Sequence, residues 1–487
     1  MELLAPAGNV DKLYYAYAYG ADAAYIGLKK FSLRVKADNF YDDEYRAVTE
    51  LKKKFPGRRL HCALNISFHN RDIEHLKDSM EYFRQYPVDA FIVQDLGIVP
   101  LLQKNFPEAA LHLSTQASCI NSEAVKMYKS LGFSRIVLGR ETSLAEIRQI
   151  KDAVPDMELE AFCHGAMCIA YSGRCLMSAY MNGRSAQAGL CSHSCRWNYD
   201  VLVDGKKISE SIAQSGALVL REQSRPDELY PVFEGDDFTA VLSSKDLCMI
   251  DHLADMKAAG LDSVKIEGRM KSVYYVALVT LAYRKALDVL DGKISPEAAA
   301  PFIAELDNVS HRECSTGFYY SRTDADKTTA GASDSPYLLA AEIGDILPED
   351  AARKIFAAGE KTVRDREADV AHLHPAAAAA RRRDWEKHPE RAPAAATAAC
   401  RWNLYHITPL NKISTGMTLE FISPERAPVT APAGTWSLVD PVSGTQRLWG
   451  CGGHDFLLYT RFSLSPGTLV RIHDPDYIPG TIRDPGR

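Results

Sequence analysis

The sequence predicts an α/β chain: a TIM-like (β/α) barrel with a cysteine-rich insertion, followed by a small C-terminal β-barrel domain. Three observations predict it. Apolar, β-branched runs alternate with helical patterns up to about residue 165. Four cysteines then crowd into 28 residues, and strand-like runs separated by Gly and Pro return after residue 403. A chain of 487 residues is long enough for such a barrel and one smaller domain.

The strand candidates of the first part are 2–5, 23–27, 60–65, 90–94, 111–114, 135–139 and 158–162. Most are continuous apolar runs, the pattern of strands buried on both faces. Helical patterns separate them at 10–19, 43–54, 72–83, 121–131 and 144–153. Asn121 and Ser122 suit a helix start, and Gly132 suits its stop. So many strand–helix repeats favour a closed barrel over an open sheet. Two more candidates, 239–243 and 263–266, flank a helix at 247–259, which makes nine strands where a barrel needs eight. One of the nine is either no strand or lies outside the barrel.

The expected domains are therefore a barrel over 1–322 with its metal-binding insertion at about 163–200, an Ala/Arg-rich insertion or linker over 323–402, and a β-rich unit over 403–487. The middle stretch includes Ala376 to Ala380 and the triplet Arg381, Arg382 and Arg383, the composition of a solvated segment without a core. In the last unit the strand candidates are 418–422, 436–439, 456–459 and 468–472.

Charged residues make up 25% and hydrophobic ones 46%, the balance of a soluble globular chain. With 57 basic and 63 acidic residues, the net charge of −6 argues against a wholly basic nucleic-acid binder and leaves room for a local basic groove. The residues from Met1 to Pro6 lack the basic start and apolar run of a secretion signal. The apolar helix 273–290 carries Arg284, Lys285 and Asp288 and reads as buried, not as a membrane span. The expectation is a cytoplasmic protein, with thiols reduced and no membrane or DNA partner.

Of eleven cysteines, seven are scattered singly (Cys62, Cys119, Cys163, Cys248, Cys314, Cys400 and Cys451), and most of these read as small buried hydrophobes. Cys168, Cys175, Cys191 and Cys195 are separated by six, fifteen and three residues. Four thiolates meeting in a reducing compartment suit tetrahedral zinc or an iron–sulfur cluster. Structural zinc usually draws on two tight Cys-x-x-Cys knuckles, which are missing here. The wide first gap, with Gly173 just before Cys175, is more compatible with wrapping a bulky cluster. Unliganded core thiols are the third reading.

The run Glu160 to Ser178, with Cys163-His164-Gly165, Cys168 and Tyr171-Ser172-Gly173-Arg174-Cys175, resembles the signature of the collagenase-like U-32 peptidase family. Leu3 to Gly8, Tyr19 to Ala23, Ser32 to Val35, Cys191 to Trp197, Ser244 to Leu247 and Lys265 to Arg269 extend the resemblance, which covers about 1–320 well. It implies a (β/α) barrel, oxygen-independent hydroxylation and a 4Fe–4S cluster on the four clustered cysteines. The Cys191/Cys195 pair follows the pattern of the tRNA-acting branch. That branch implies prephenate as co-substrate, 5-hydroxylation of the wobble uridine, and tRNA and an electron donor protein as partners. Sister branches act on ribosomal RNA cytidine or on ubiquinone precursors.

Chemistry in a parallel barrel gathers where strands end. Asn65, Gln116, Arg140, His164, Glu267 and Arg269 stand at such ends, with Arg34 and Lys245 in connecting segments. Arg34, Arg140 and Arg269 are the cations suited to a dicarboxylate, while Asn65 and Gln116 suit a hydroxyl or a base edge. His164, Lys245 and Glu267 are the candidates for proton transfer or catalytic contact. The competing role for each is a salt bridge or a satisfied core position, above all for Lys265 and Glu267. Tyr171 and Trp197 are candidates for stacking on a base. A proteolytic reading lacks both a His-Glu-x-x-His zinc motif and a Gly-x-Ser-x-Gly elbow. A non-catalytic reading, a zinc-stabilised RNA-binding module, is open at this stage.

Overall fold

The computed structural model describes residues 1–28, 31–33, 39–41, 43–196, 244–321, 335–371, 375–387 and 402–474, with short strand segments between 202 and 240. It forms two compact units that divide at residue 334.

The first unit is a closed barrel of eight parallel strands: β1 (Glu2–Pro6), β2 (Ala23–Ile26), β3 (Arg59–Leu64), β4 (Ala90–Val93), β5 (Ala110–Leu113), β6 (Arg135–Val137), β7 (Glu158–Ala166) and β8 (Ser263–Ile266). Closure comes from β8, which pairs with β7 on one side and β1 on the other. Every residue of β2, β4 and β8 is buried, as strands covered on both faces must be. The surrounding helices start at side-chain caps. Asn9 caps Val10–Ala18, Asn121 caps Ser122–Ser130, and Ser143 with Glu146 forms a capping box on Leu144–Ala153. Ser272 caps Val273–Leu290, whose buried residues include Val276, Leu278 and Tyr283.

The ninth strand candidate belongs elsewhere. Thr239–Ala240 pairs antiparallel with Phe233–Glu234, a local hairpin that needs no crossover helix. The helix expected over 247–259 is shorter, Leu253–Ala258, because Asp246–Cys248 extends instead and pairs antiparallel with the end of β7. No described helix is long and apolar enough to cross a membrane.

Inside the barrel lies an ionic layer. Arg135, 1% exposed, donates to Glu160 at 3.0 Å and to Glu158 at 2.8 Å, and also contacts Glu2. Glu160, fully buried, also accepts from Ser263 Oγ and Lys265 Nζ, both at 3.1 Å. Burial opposes its charge, but Lys265 and Arg135 outweigh burial and hold the carboxyl down at about 2. His61 and His112 sit edge to face 4.8 Å apart beside this layer, and burial pushes both imidazoles down.

The second unit is an eight-stranded antiparallel sheet curled around one apolar core that includes Tyr405, Phe421, Trp436, Leu458 and Val470. Its edge strands, Val429–Ala431 and Gln446–Arg447, are not paired with each other. The four strands expected here are present as Leu419–Ile422, Trp436–Val439, Phe456–Thr460 and Leu469–His473. A strand not expected, Tyr337–Ile346, is central, pairing with Asn403–Pro409 and Leu469–His473. The stretch read as insertion or linker also holds helices Glu349–Ala371 and Pro375–Lys387. Alanine and arginine are good helix formers and Pro375 stands at the helix start, so the same composition is compatible with a regular helix.

Candidate active site

The C-terminal ends of the barrel strands open into one pocket of about 1230 Å³, its open mouth included. Tyr25, Ala63, Ile92, Phe162 and Lys265 line it from the strands. Asn65, Ser114, Gln116, Arg140, Glu267 and Arg269 line it from positions just beyond strand ends. Cys168, Cys175, Cys191 and Cys195 line the same pocket, from the segment that follows β7.

Three cations and one carboxylate face this space. Lys265 Nζ is shared between Glu160 and the ring of Tyr25, whose centroid is 4.5 Å away. The Arg140 guanidinium lies 4.0 Å from the Phe162 ring centroid and donates to Glu267 at 3.3 Å. Its buried Nε has no hydrogen-bond partner among the described residues. Arg269 is 3% exposed and lies against Gly27, where an added Cβ would come within 2.3 Å of its Nη1. This excess of positive charge, part-stripped of water, suits an anionic ligand held by bidentate contacts. Asn65 accepts from the Leu33 N–H at 3.1 Å and approaches Ser114 Oγ at 3.5 Å, which fixes its amide.

The cysteine segment is docked on the barrel by small residues. Gly173 adopts φ +72°, and a Cβ there would meet the Gln116 carbonyl oxygen at 2.0 Å. Buried Ser172 donates its N–H to Glu141 and accepts from the Arg140 N–H at 3.1 Å. Gln187 donates to the Cys175 carbonyl at 2.7 Å, while its backbone carbonyl accepts from Ser67 at 3.0 Å. Hydroxyls of Ser178, Ser192 and Ser194 run in a chain of 2.9 and 2.7 Å contacts. The His193 N–H donates to Cys191 Sγ at 3.4 Å, a contact of the kind that tunes metal-bound sulfur. None of the ten described cysteines is in a disulfide. Among the described residues no three His, Cys, Asp or Glu side chains converge as on a single metal ion. Four thiols line one space, and one of their sulfurs accepts an N–H.

Of the residues singled out in the sequence, Asn65, Gln116, Arg140, Glu267, Arg269, Tyr171 and the four clustered cysteines meet at this pocket. His164 and Lys245 do not line it. The register of β7 on β8 slips by one residue between Lys265 and Ile266, so the alternation of faces is broken at Cys163 and His164. His164 is buried beside Tyr275 and Tyr283, with Nδ1 3.4 Å from the Tyr283 hydroxyl. Lys245 pairs with Glu313. Arg34 and Trp197 lie outside the described residues. Sequence reasoning placed Lys265 only in a salt bridge and passed over Ser172, Gln187 and His193. For Lys265 the signal was present, since it shares its strand-end motif with Glu267 and Arg269.

A second thiol cluster lies away from the pocket. Cys248 Sγ lies 3.8 Å from the Tyr283 hydroxyl and Cys314 Sγ 3.8 Å from His311 Nδ1; the neighbouring Cys314 and His164 side chains pull the Cys248 thiol down. Burial pushes the fully buried Cys163 thiol up, which leaves it unsuited to nucleophilic attack.

Comparison with known proteins matches residues 8–329 to peptidase family U32. The tRNA hydroxylation protein P of Escherichia coli is 36% identical over 347 residues, covering 67% of this chain and 76% of the relative. The tRNA hydroxylation protein P1 of Bacillus subtilis is 40% identical over 322 residues, covering 65% and 70%. The 23S rRNA 5-hydroxycytidine C2501 synthase of Escherichia coli is 33% identical over 354 residues, covering 71% of this chain and 49% of that one. On the extent of the match and the level of identity, the chain belongs to peptidase family U32.

Proposed function

We propose that this chain is an RNA hydroxylase of the U32 family that carries a 4Fe–4S cluster and forms 5-hydroxyuridine at the wobble position of tRNA, with prephenate as co-substrate. The observation that carries the reading is the meeting of four thiols and three cations on one pocket at the barrel mouth. The names of the relatives support RNA hydroxylation, and two of those named here specify tRNA.

In this reading Cys168, Cys175, Cys191 and Cys195 hold the cluster, which supplies electron-transfer or Lewis-acid chemistry when bound. Arg140, Arg269 and Lys265 take the carboxylates of a small dianion, with Glu267 keeping Arg140 in place. Asn65 and Gln116 present amides to a base edge, and Tyr25 and Phe162 form an apolar floor that limits water. Replacing the C5 hydrogen of uridine by a hydroxyl removes two electrons from the base, and the co-substrate or a redox partner protein must accept them. Proteolysis draws no support from the pocket, where Cys163 is buried and His164 faces away.

The test is anaerobic purification with iron and sulfide analysis, followed by nucleoside analysis of tRNA from cells carrying wild-type or Cys168→Ser protein. About four irons per chain, broad visible absorbance lost in Cys168→Ser, and loss of 5-hydroxyuridine derivatives are expected. Stoichiometric zinc in a colourless protein that refuses reconstitution would sink the redox part of the proposal.

A further inference from the structure

An open groove of about 940 Å³, its solvent side included, adjoins the pocket and shares Gln116, Gly173 and Gln187 with it. Its other walls include Gln94, Leu96, Tyr128, Arg174 and Leu176. Leu96 and Leu176 are 42% and 71% exposed, so apolar surface here is left to water. The Tyr128 ring is held edge-on to Phe133 at 5.7 Å, and Gln94 is fixed by a 3.2 Å bond to Ser67. Arg174 bonds Ser118 Oγ through Nε at 3.4 Å and enters no ion pair among the described residues.

Charge sets this segment apart. The chain is acidic overall, yet no Asp or Glu occurs between Glu160 and Asp200, where Arg174, Arg184 and Arg196 all fall. Amides, an aromatic face, exposed leucines and a guanidinium without a carboxylate are what a nucleotide with its phosphate requires. A polymer whose one base enters the pocket must leave over the rim, and the shared residues put this groove one step from the reacting position.

Building on the RNA reading above, we propose that this groove holds the nucleotide next to the reacting one, its base on the Tyr128–Leu176 surface and its phosphate on Arg174. The enzyme then reads a short single-stranded context, not an isolated nucleoside.

The experiment titrates a labelled anticodon stem-loop RNA by fluorescence anisotropy at several salt concentrations, with the full chain and the variants Arg174→Gln, Tyr128→Ala and Arg184→Gln. Arg174→Gln lowers the slope of log affinity against log salt by ~0.7, the value for one single-strand phosphate contact. Tyr128→Ala weakens binding about fivefold or more. Arg184, on the same segment but outside the groove, leaves both unchanged. Wild-type affinity and slope in Arg174→Gln and Tyr128→Ala overturn the inference, as does an equal loss in Arg184→Gln, which signals undirected attraction. If those results accompany normal tRNA hydroxylation by the wild type, only the groove assignment falls. A wild-type chain that neither binds the stem-loop nor modifies tRNA overturns both readings.

Discussion

Substituting Gly173 by alanine separates the docking of the cysteine segment from general stability. The added Cβ would stand 2.0 Å from the Gln116 carbonyl oxygen, a backbone atom that cannot swing away, so the two chains must part by about 1 Å. A positive φ adds the cost of a left-handed alanine, ~1 kcal/mol. Gly183, just after the helix Met177–Asn182, has nearly the same backbone (φ +71°) and nothing within 4 Å of an added Cβ. Gly183→Ala therefore carries the conformational cost alone, while Gly173→Ala adds ~1–3 kcal/mol of overpacking. That strain falls between Cys168 and Cys175 and against Gln116. A displacement of this size in a reacting constellation costs roughly a hundredfold in rate. Both variants are purified anaerobically and compared for melting temperature, iron content and hydroxylated tRNA. On the proposed function, Gly173→Ala is expected to lose iron and product, with Gly183→Ala near wild type in both. Equal behaviour of the two variants would refute the close contact and the docking role argued from it.

Two further outcomes follow from interacting titratable side chains. Replacing Glu160 by Gln leaves Arg135 and Lys265 without their shared carboxylate and is expected to cost about 3–5 kcal/mol in urea unfolding at neutral pH. Because the folded carboxyl is held down at about 2 against an ordinary 4.5, wild-type stability from this group is present above pH 4.5 and lost as pH falls toward 2. The Gln variant lacks that part of the acid limb, and identical acid limbs would count against the network. At Cys248 the neighbouring Cys314 thiol is the largest influence lowering the thiol. Cys314→Ala should shift the pH profile of Cys248 alkylation upward, read by site-resolved mass spectrometry; an unmoved profile would argue that the two thiols do not interact.

The barrel was legible because both faces of its strands are covered, which writes each strand as a continuous apolar run such as Ala90–Val93. Pocket-lining Asn65, Gln116, Arg140 and Arg269 were legible for a related reason: polar residues just after such runs have nowhere else to point but the open end. His164 was not, since a one-residue slip between two strands leaves no mark in either sequence and reverses the alternation that placed it. Lys245 was misread because its partner, Glu313, is supplied by a segment 68 residues away. Tyr337–Ile346 was hidden by its small and polar residues, which carry little β preference of their own and depend on pairing from both sides.

The ionic layer also constrains how the chain can be made. Glu2 emerges first during synthesis, Arg135 and Glu160 much later, and Ser263 and Lys265 only with the closing strand. Until β8 arrives, the carboxylate of Glu160 lacks two of its donors, and a half-built barrel that buried it together with Glu2 would hold more negative charge than Arg135 offsets. Early fragments are thereby discouraged from settling into a dry, compact form. A nascent chain stalled before residue 263 should stay hydrated and dependent on chaperones, and the final strand acts as a latch that releases the whole barrel to fold together.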